Sequence, residues 1–229
     1  MIKIFVINYD KLVERKNHML KQLSVRNLQA EFISNYGKDK LTLDDKKKFT
    51  KISDSEISLF LHHLECYKKI VEYNYDYALI LEDDAIFLDK FYIKLQQYIY
   101  DMPNDWSMLY LGEGNFTIPK EVFNKFKGLV NIFRKPDNLT KYTECYIIKN
   151  TTCKKFIEQF NNENEPINMA IDHYLNKFIH TNSLKAFIGE PQLACQGSIN
   201  NKFYSSIWHT KVNEHNDLNA LNRTFKCID

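Results

Sequence analysis

The chain has 229 residues, 44% hydrophobic and 26% charged, a composition suited to one ordinary globular domain spanning residues 1–229 with a sizeable core. Its 31 basic and 29 acidic side chains leave a net charge of +2, which excludes a nucleic-acid binder that works through bulk charge. No apolar run approaches the length of a membrane-spanning helix or a secretion-signal core, so the expectation is a cytoplasmic protein that touches a membrane surface only peripherally.

Residues 2–7 (IKIFVI) are a short apolar run and predict a buried first strand. Apolar residues at 12, 13, 19, 20, 23 and 28 predict a helix, and 30–33 a second strand before the turn-like Asn35-Tyr36-Gly37. The charged stretch 38–51 reads as a solvated loop. Ser53 to Glu56 has the S-x-x-E form of a capping box, and Ile57, Phe60, Leu61, Leu64, Tyr67, Ile70 and Val71 follow at helical spacing, so a helix runs to about Asn74. Residues 77–81 (YALIL) predict a second buried strand, 89–100 a helix, 106–111 a strand, 142–149 a strand, and 151–160 and 167–179 helices. Residues 113–139 are irregular, and 199–229 carry no clear signal; this last segment is the candidate cover for an active site. Strands alternating with helices predict an α/β sandwich with a mostly parallel sheet. Cys66, Cys145, Cys153, Cys195 and Cys227 are scattered without a CxxC pair, which argues against a structural zinc site or a disulfide framework.

One acidic cluster stands out: Glu82-Asp83-Asp84 follows the apolar strand Leu79-Ile80-Leu81. Open α/β sheets bind ligands beyond the carboxyl ends of their strands. Adjacent carboxylates repel one another unless a cation or donors compensate. If the extended chain continues, Glu82 and Asp84 point the same way and share one Mn²⁺ or Mg²⁺ ion; otherwise the triplet is a solvated acidic turn.

The segment from Glu56 to Phe87, EISLFLHHLECYKKIVEYNYDYALILEDDAIF, resembles glycosyltransferase family 25, whose members include bacterial lipooligosaccharide and collagen galactosyltransferases. The shared pattern is a helix with a Ser-His pair, a strand, and a Glu-Asp-Asp motif. Here His63 matches the histidine, His62 replaces the serine, and Ser58 stands where the family usually has glycine. Val6-Ile7-Asn8 with Arg15-Lys16, Asp105-Trp106 through Gly112, the strand at 142–149, Asp172 after Pro166, and Ser205-Ser206-Ile207-Trp208-His209 extend the likeness over most of the chain.

The resemblance implies the type A glycosyltransferase fold (GT-A, Rossmann-like) and an inverting hexosyl transfer, of galactose or glucose, from a UDP-sugar to a glycan or glycoconjugate hydroxyl. Asp84 is then the foremost metal ligand, Glu82 ligates the metal or contacts ribose, and Asp83 contacts ribose or the sugar. His209 is either a third metal ligand or a surface histidine. Asp172 is either the general base or a helix-capping acid. Asn8 and Arg15 lie where uracil and ribose would sit, unless Arg15 is a surface charge. His63 is a ligand contact or a core histidine that orients the acidic loop. The competing classes are a metal-dependent nuclease or phosphotransferase, which wants further carboxylates and a lysine at short spacing, and a non-catalytic module that binds carbohydrate or nucleotide sugar.

Overall fold

The structure, a computed structural model, describes residues 2–112, 130–136, 142–198 and 202–203. It begins β1 (Lys3–Ile7), α1 (Val13–Ser24), β2 (Glu31–Ile33), α2 (Leu43–Lys46), α3 (Asp54–Glu72), β3 (Tyr77–Glu82) and β4 (Ala85–Phe87). Next come α4 (Phe91–Asp101), β5 (Met108–Tyr110), β6 (Asn131–Arg134), β7 (Cys145–Lys149), α5 (Asn150–Asn162), α6 (Ile171–Thr181), β8 (Ala186–Glu190) and β9 (Ala194–Gln196). Seven strands form a sheet in the order β2-β1-β3-β7-β5-β8-β6, and β4 pairs with β9 in a separate ribbon. Strands β2, β1, β3, β5 and β8 run one way, and β7 and β6 run against them.

The two faces of this sheet follow from the period-2 alternation of its strands. Phe5, Ile7, Ala78 and Ile80 turn toward the layer containing α3, α5 and α6. Ile4, Val6, Leu79 and Leu81 turn toward the layer containing α1 and α4. Because both faces are covered, β1 and β3 are continuous apolar runs. On the first side Phe156 ties three helices together, with its ring centroid 4.9–6.1 Å from those of Tyr67, Phe178, Tyr174 and Phe60. Each such pair adds about 0.5–1.5 kcal/mol beyond the area it buries. The result is the α/β, mostly parallel, helix-flanked architecture predicted above, of the Rossmann-like GT-A kind.

Helix α3 starts at the predicted capping box: Ser53 N–H donates to Glu56 Oε2 at 2.7 Å, and Glu56 N–H donates to Ser53 Oγ at 3.3 Å. Several elements differ from the sequence reading. The charged stretch 38–51 contains α2, closed by a second capping box between Thr42 and Asp45, and Phe49 pairs with Ile167. Charge masked a short helix whose caps are themselves polar. Helix α6 starts at Ile171, not at 167, because Ile167 is held in that bridge. Strands β4, β6, β8 and β9 were not foreseen; three or four of their residues, or five in β8, give too short a pattern to read. Among the described residues no helix is long and apolar enough to cross a membrane.

Candidate functional site

The carboxyl ends of β1, β3, β5 and β8 share one edge of the sheet, and the antiparallel β7 begins there. Ile7 is paired with Glu82, so the residues that follow, Asn8 and Asp83, come out side by side. Asn8 Nδ2 donates to Asp83 Oδ2 at 2.8 Å, and Arg15 Nη1 donates to Asp83 Oδ1 at 3.0 Å. Arg15 is no surface charge: it is 6% exposed, at the start of α1, and Asp83 is 5% exposed. Burial pushes the Asp83 carboxyl up to about 6 against the opposing pull of Arg15.

Asp83 and Asp84 form a turn between β3 and β4, so the extended alternation expected to align Glu82 with Asp84 stops at Glu82. The two carboxylates are nonetheless close enough to repel. Burial, then the Asp84 charge, pushes Glu82 up to about 8. Asp84 is tied to the chain leaving β9: Ser198 Oγ donates to Asp84 Oδ2 at 2.6 Å, and Gly197 N–H donates to the Asp84 carbonyl at 2.8 Å. Arg15 Nη1 lies 3.7 Å from the same Oδ2. The other oxygen, Asp84 Oδ1, is buried and accepts no hydrogen bond among the described residues. Position 197 must be glycine-sized, since a Cβ there would lie 2.6 Å from the Phe203 ring and 2.9 Å from the Asp84 carbonyl. Phe203 closes this side, its ring centre 5.6 Å from the Arg15 guanidinium and 5.3 Å from the His18 ring.

Glu82 has partners of its own. Thr143 Oγ1 donates to Glu82 Oε1 at 2.6 Å, and His63 Nε2 is 3.6 Å from the same oxygen. His63 is fully buried, and burial pushes it down to about 3, so its ring is neutral. The neighbouring His62, pushed down to about 4 mainly by burial, accepts the Tyr36 N–H at 3.1 Å, while Ser58 Oγ donates to the Tyr36 carbonyl at 2.5 Å. The two residues that depart from the family pattern thus act together, holding the turn after β2.

Asp172 sits in the first turn of α6, partly exposed, where a negative charge also suits the helix dipole. Its Oδ1 accepts the His173 N–H at 2.8 Å. Its charge acts on Glu82, His63, Tyr110 and Tyr142, which brings it to the same edge as the acidic motif. The structure therefore brings Asn8, Arg15, His63, Glu82, Asp83, Asp84 and Asp172 together. His209 and the rest of Ser205 to His209 lie outside the described residues.

Sequence reasoning missed Thr143, Glu144 and Ser198. Glu144 is fully buried, its carbonyl accepts the Glu82 N–H at 3.0 Å, and its side chain fills the space a Cβ on Gly112 would need, 2.3 Å away. The available signal was an acid immediately before an apolar strand, facing a glycine just beyond another. Nothing in the sequence marks Ser198.

Among the described residues no three His, Cys, Asp or Glu side chains converge as a metal-binding group. The oxygen chemistry still fits a hard divalent ion held in part by its ligand. Among the described residues Asp84 Oδ1 is an unpartnered buried carboxylate oxygen near a second, repelling carboxyl group, and Mg²⁺-like ions keep several positions for water and phosphate oxygens.

The sequence is 22% identical over 222 residues to "Procollagen galactosyltransferase 2" of Mus musculus, covering 83% of this chain and 34% of that protein. It is 21% identical over 222 residues to the Homo sapiens protein of the same name, with the same 83% and 34% coverage. The chain thus spans about a third of the length of the curated relatives it matches. A family model described as "Glycosyltransferase family 25 (LPS biosynthesis protein)" matches residues 1–175, well over half of the chain. The chain belongs to glycosyltransferase family 25.

Proposed function

We propose that this chain is an inverting hexosyltransferase that moves galactose or glucose from a UDP-sugar to a hydroxyl of a glycan or glycoconjugate, with Mn²⁺ or Mg²⁺ at the donor diphosphate. The observation that carries this reading is the division of labour at the β3 end: Asp83 is engaged at both oxygens by Asn8 and Arg15, whereas Asp84 keeps one buried oxygen without a partner among the described residues. Family membership and the names of the relatives support transfer of galactose.

On this reading Asn8, Arg15 and Asp83 form a rigid wall beside the uracil and ribose. Glu82 and Asp84 would hold the metal, with His209 as the candidate third ligand. Once bound, the ion acts as a Lewis acid on the leaving diphosphate. Asp172 acts on the acceptor. Its Oδ1 is held by its own helix turn, and Oδ2 makes no hydrogen bond among the described residues, so Oδ2 is free to take the hydroxyl proton as the new bond forms. Attack from the side opposite the leaving group inverts the anomeric centre.

Incubation with UDP-galactose or UDP-glucose, in Mn²⁺ or in chelator, tests this directly. Metal-dependent UDP release from one of the two is expected, and transfer once a hydroxylated glycan is added. Absence of release from both would contradict it. Binding of UDP-sugar without release would instead favour a non-catalytic module, the reading to which the lack of a converged three-ligand group among the described residues lends support.

A further inference from the structure

A chain of buried hydroxyls ends behind Glu82. The Tyr67 and Tyr146 hydroxyl oxygens are 2.7 Å apart, and the Tyr146 oxygen is 2.6 Å from His63 Nδ1. The other ring nitrogen, Nε2, is buried without a hydrogen bond among the described residues, 3.6 Å from Glu82 Oε1. All three side chains are fully buried, and the His63 and Tyr146 rings stack with their planes 25° apart. Tyr67 and His63 come from α3 and Tyr146 from β7, so the chain spans the packing between helix and sheet.

A neutral imidazole carries one N–H, and its position depends on what the other nitrogen does. Two directions are open. If Nδ1 donates to Tyr146, then Tyr146 donates to Tyr67, and the Tyr67 proton has no acceptor among the described residues. A bare Nε2 lone pair would also face a carboxylate oxygen. If instead Tyr67 donates to Tyr146 and Tyr146 donates to Nδ1, both hydroxyl protons are used. The imidazole proton then sits on Nε2, aimed at Glu82. This direction leaves no hydroxyl proton unused, where an unused buried donor costs about 1–3 kcal/mol. It also turns the Nε2–H toward Glu82 Oε1, an acceptor oxygen 3.6 Å away that is beyond hydrogen-bond length but attracts the N–H, where the other direction sets a lone pair against it.

We propose that the Tyr67–Tyr146 pair fixes His63 in its Nε2–H form, making it a positioning residue that presents a donor to Glu82. The hydroxyl pair controls the acidic edge through one imidazole, without touching any ligand. This goes beyond the transferase reading, and its primary test needs no turnover.

The test is a long-range ¹H–¹⁵N correlation spectrum of the full chain labelled at histidine, with the His63 signals assigned by their loss in His63→Gln. In the wild type the proton is expected on Nε2 alone, with Nδ1 accepting a hydrogen bond; in Tyr146→Phe both tautomers are expected. A wild-type proton on Nδ1, a doubly protonated ring, or an unchanged spectrum in Tyr146→Phe would overturn the proposal. The wild-type spectrum decides the direction even if Tyr146→Phe does not fold. A second arm rests on the transferase reading. His63→Gln keeps an amide N–H near the Nε2 position, and His63→Leu keeps bulk without a donor. Outer contacts of this kind are worth about 10–100-fold in metal affinity or activity, so Leu should fall that far below Gln in Mn²⁺-dependent UDP affinity. Equal losses in the two would refute the donor role. If the wild type itself shows no metal-dependent UDP binding, the transferase reading fails while the tautomer result stands.

Discussion

Asp83 and Asp84 are consecutive residues on one turn with opposite surroundings. Both oxygens of Asp83 are bound, by Asn8 and by Arg15. Asp84 is anchored through one oxygen to Ser198, and its second oxygen is buried and without a hydrogen bond among the described residues. On the proposed reading, a bound carboxylate next to a bare one separates scaffolding from binding: Asp83 ties β1, α1 and β3 together beside Asp84. The contrast extends across the sheet edge to Asp172, which is partly exposed and keeps one oxygen without a hydrogen bond among the described residues.

The contrast is broken most sharply at Asp172. Asp172→Asn keeps the shape but cannot take a proton, so kcat should fall by about 10²–10⁴-fold with donor affinity nearly unchanged. Loss of UDP affinity would move Asp172 to the donor side, and near wild-type turnover would reduce it to a first-turn helix acid. On the scaffolding side, Arg15→Met leaves the buried Asp83 without its cation. Breaking a buried pair from one side costs about 3–5 kcal/mol, which denaturant unfolding would measure. The double variant Arg15→Met/Asp83→Asn should recover much of that loss; a purely additive result would show that the two residues are not coupled.

Gly112→Ala tests the floor beneath Glu82. The new Cβ would meet the buried Glu144 carboxyl at 2.3 Å, so the side chain must move. Overpacking of this size costs about 1–3 kcal/mol, and an unchanged melting temperature would mean that Glu144 yields freely.

The smallest effect is a pH slope in metal-free protein. His62 and His63, pushed by burial to about 4 and about 3 from 6.5, bind protons mainly in the unfolded chain, so their contribution to stability rises with pH up to about 6.5. Asp83 and Glu82, pushed up to about 6 and about 8, hold protons more tightly when folded, which offsets that rise. Above about 6.5 Glu82 alone of these four still titrates, so stability should decline toward pH 8. Thermal melts between those two values should show the decline in wild type and its absence in Glu82→Gln.

Much of this arrangement was legible in the sequence because its elements are long or locally signalled. The β1 and β3 runs are buried on both faces and so read as unbroken apolar segments, and α3 announces itself with the Ser53–Glu56 box. The acidic motif was legible from its place after a buried strand. What escaped was long-range. Nothing local says that Ser198 reaches Asp84 across 114 positions or that Thr143 reaches Glu82 across 61. The alternation argument for Glu82 and Asp84 failed because the chain turns at Asp83 and Asp84 to start β4, a strand whose partner, β9, lies more than 100 positions away.

Calorimetric titration of UDP into the wild type and Asp84→Ala, each with Mn²⁺ and with chelator, tests the central claim most directly. The account predicts wild-type binding that depends on Mn²⁺ and is lost in Asp84→Ala, with folding retained. Unchanged Mn²⁺-dependent affinity in that variant would contradict it.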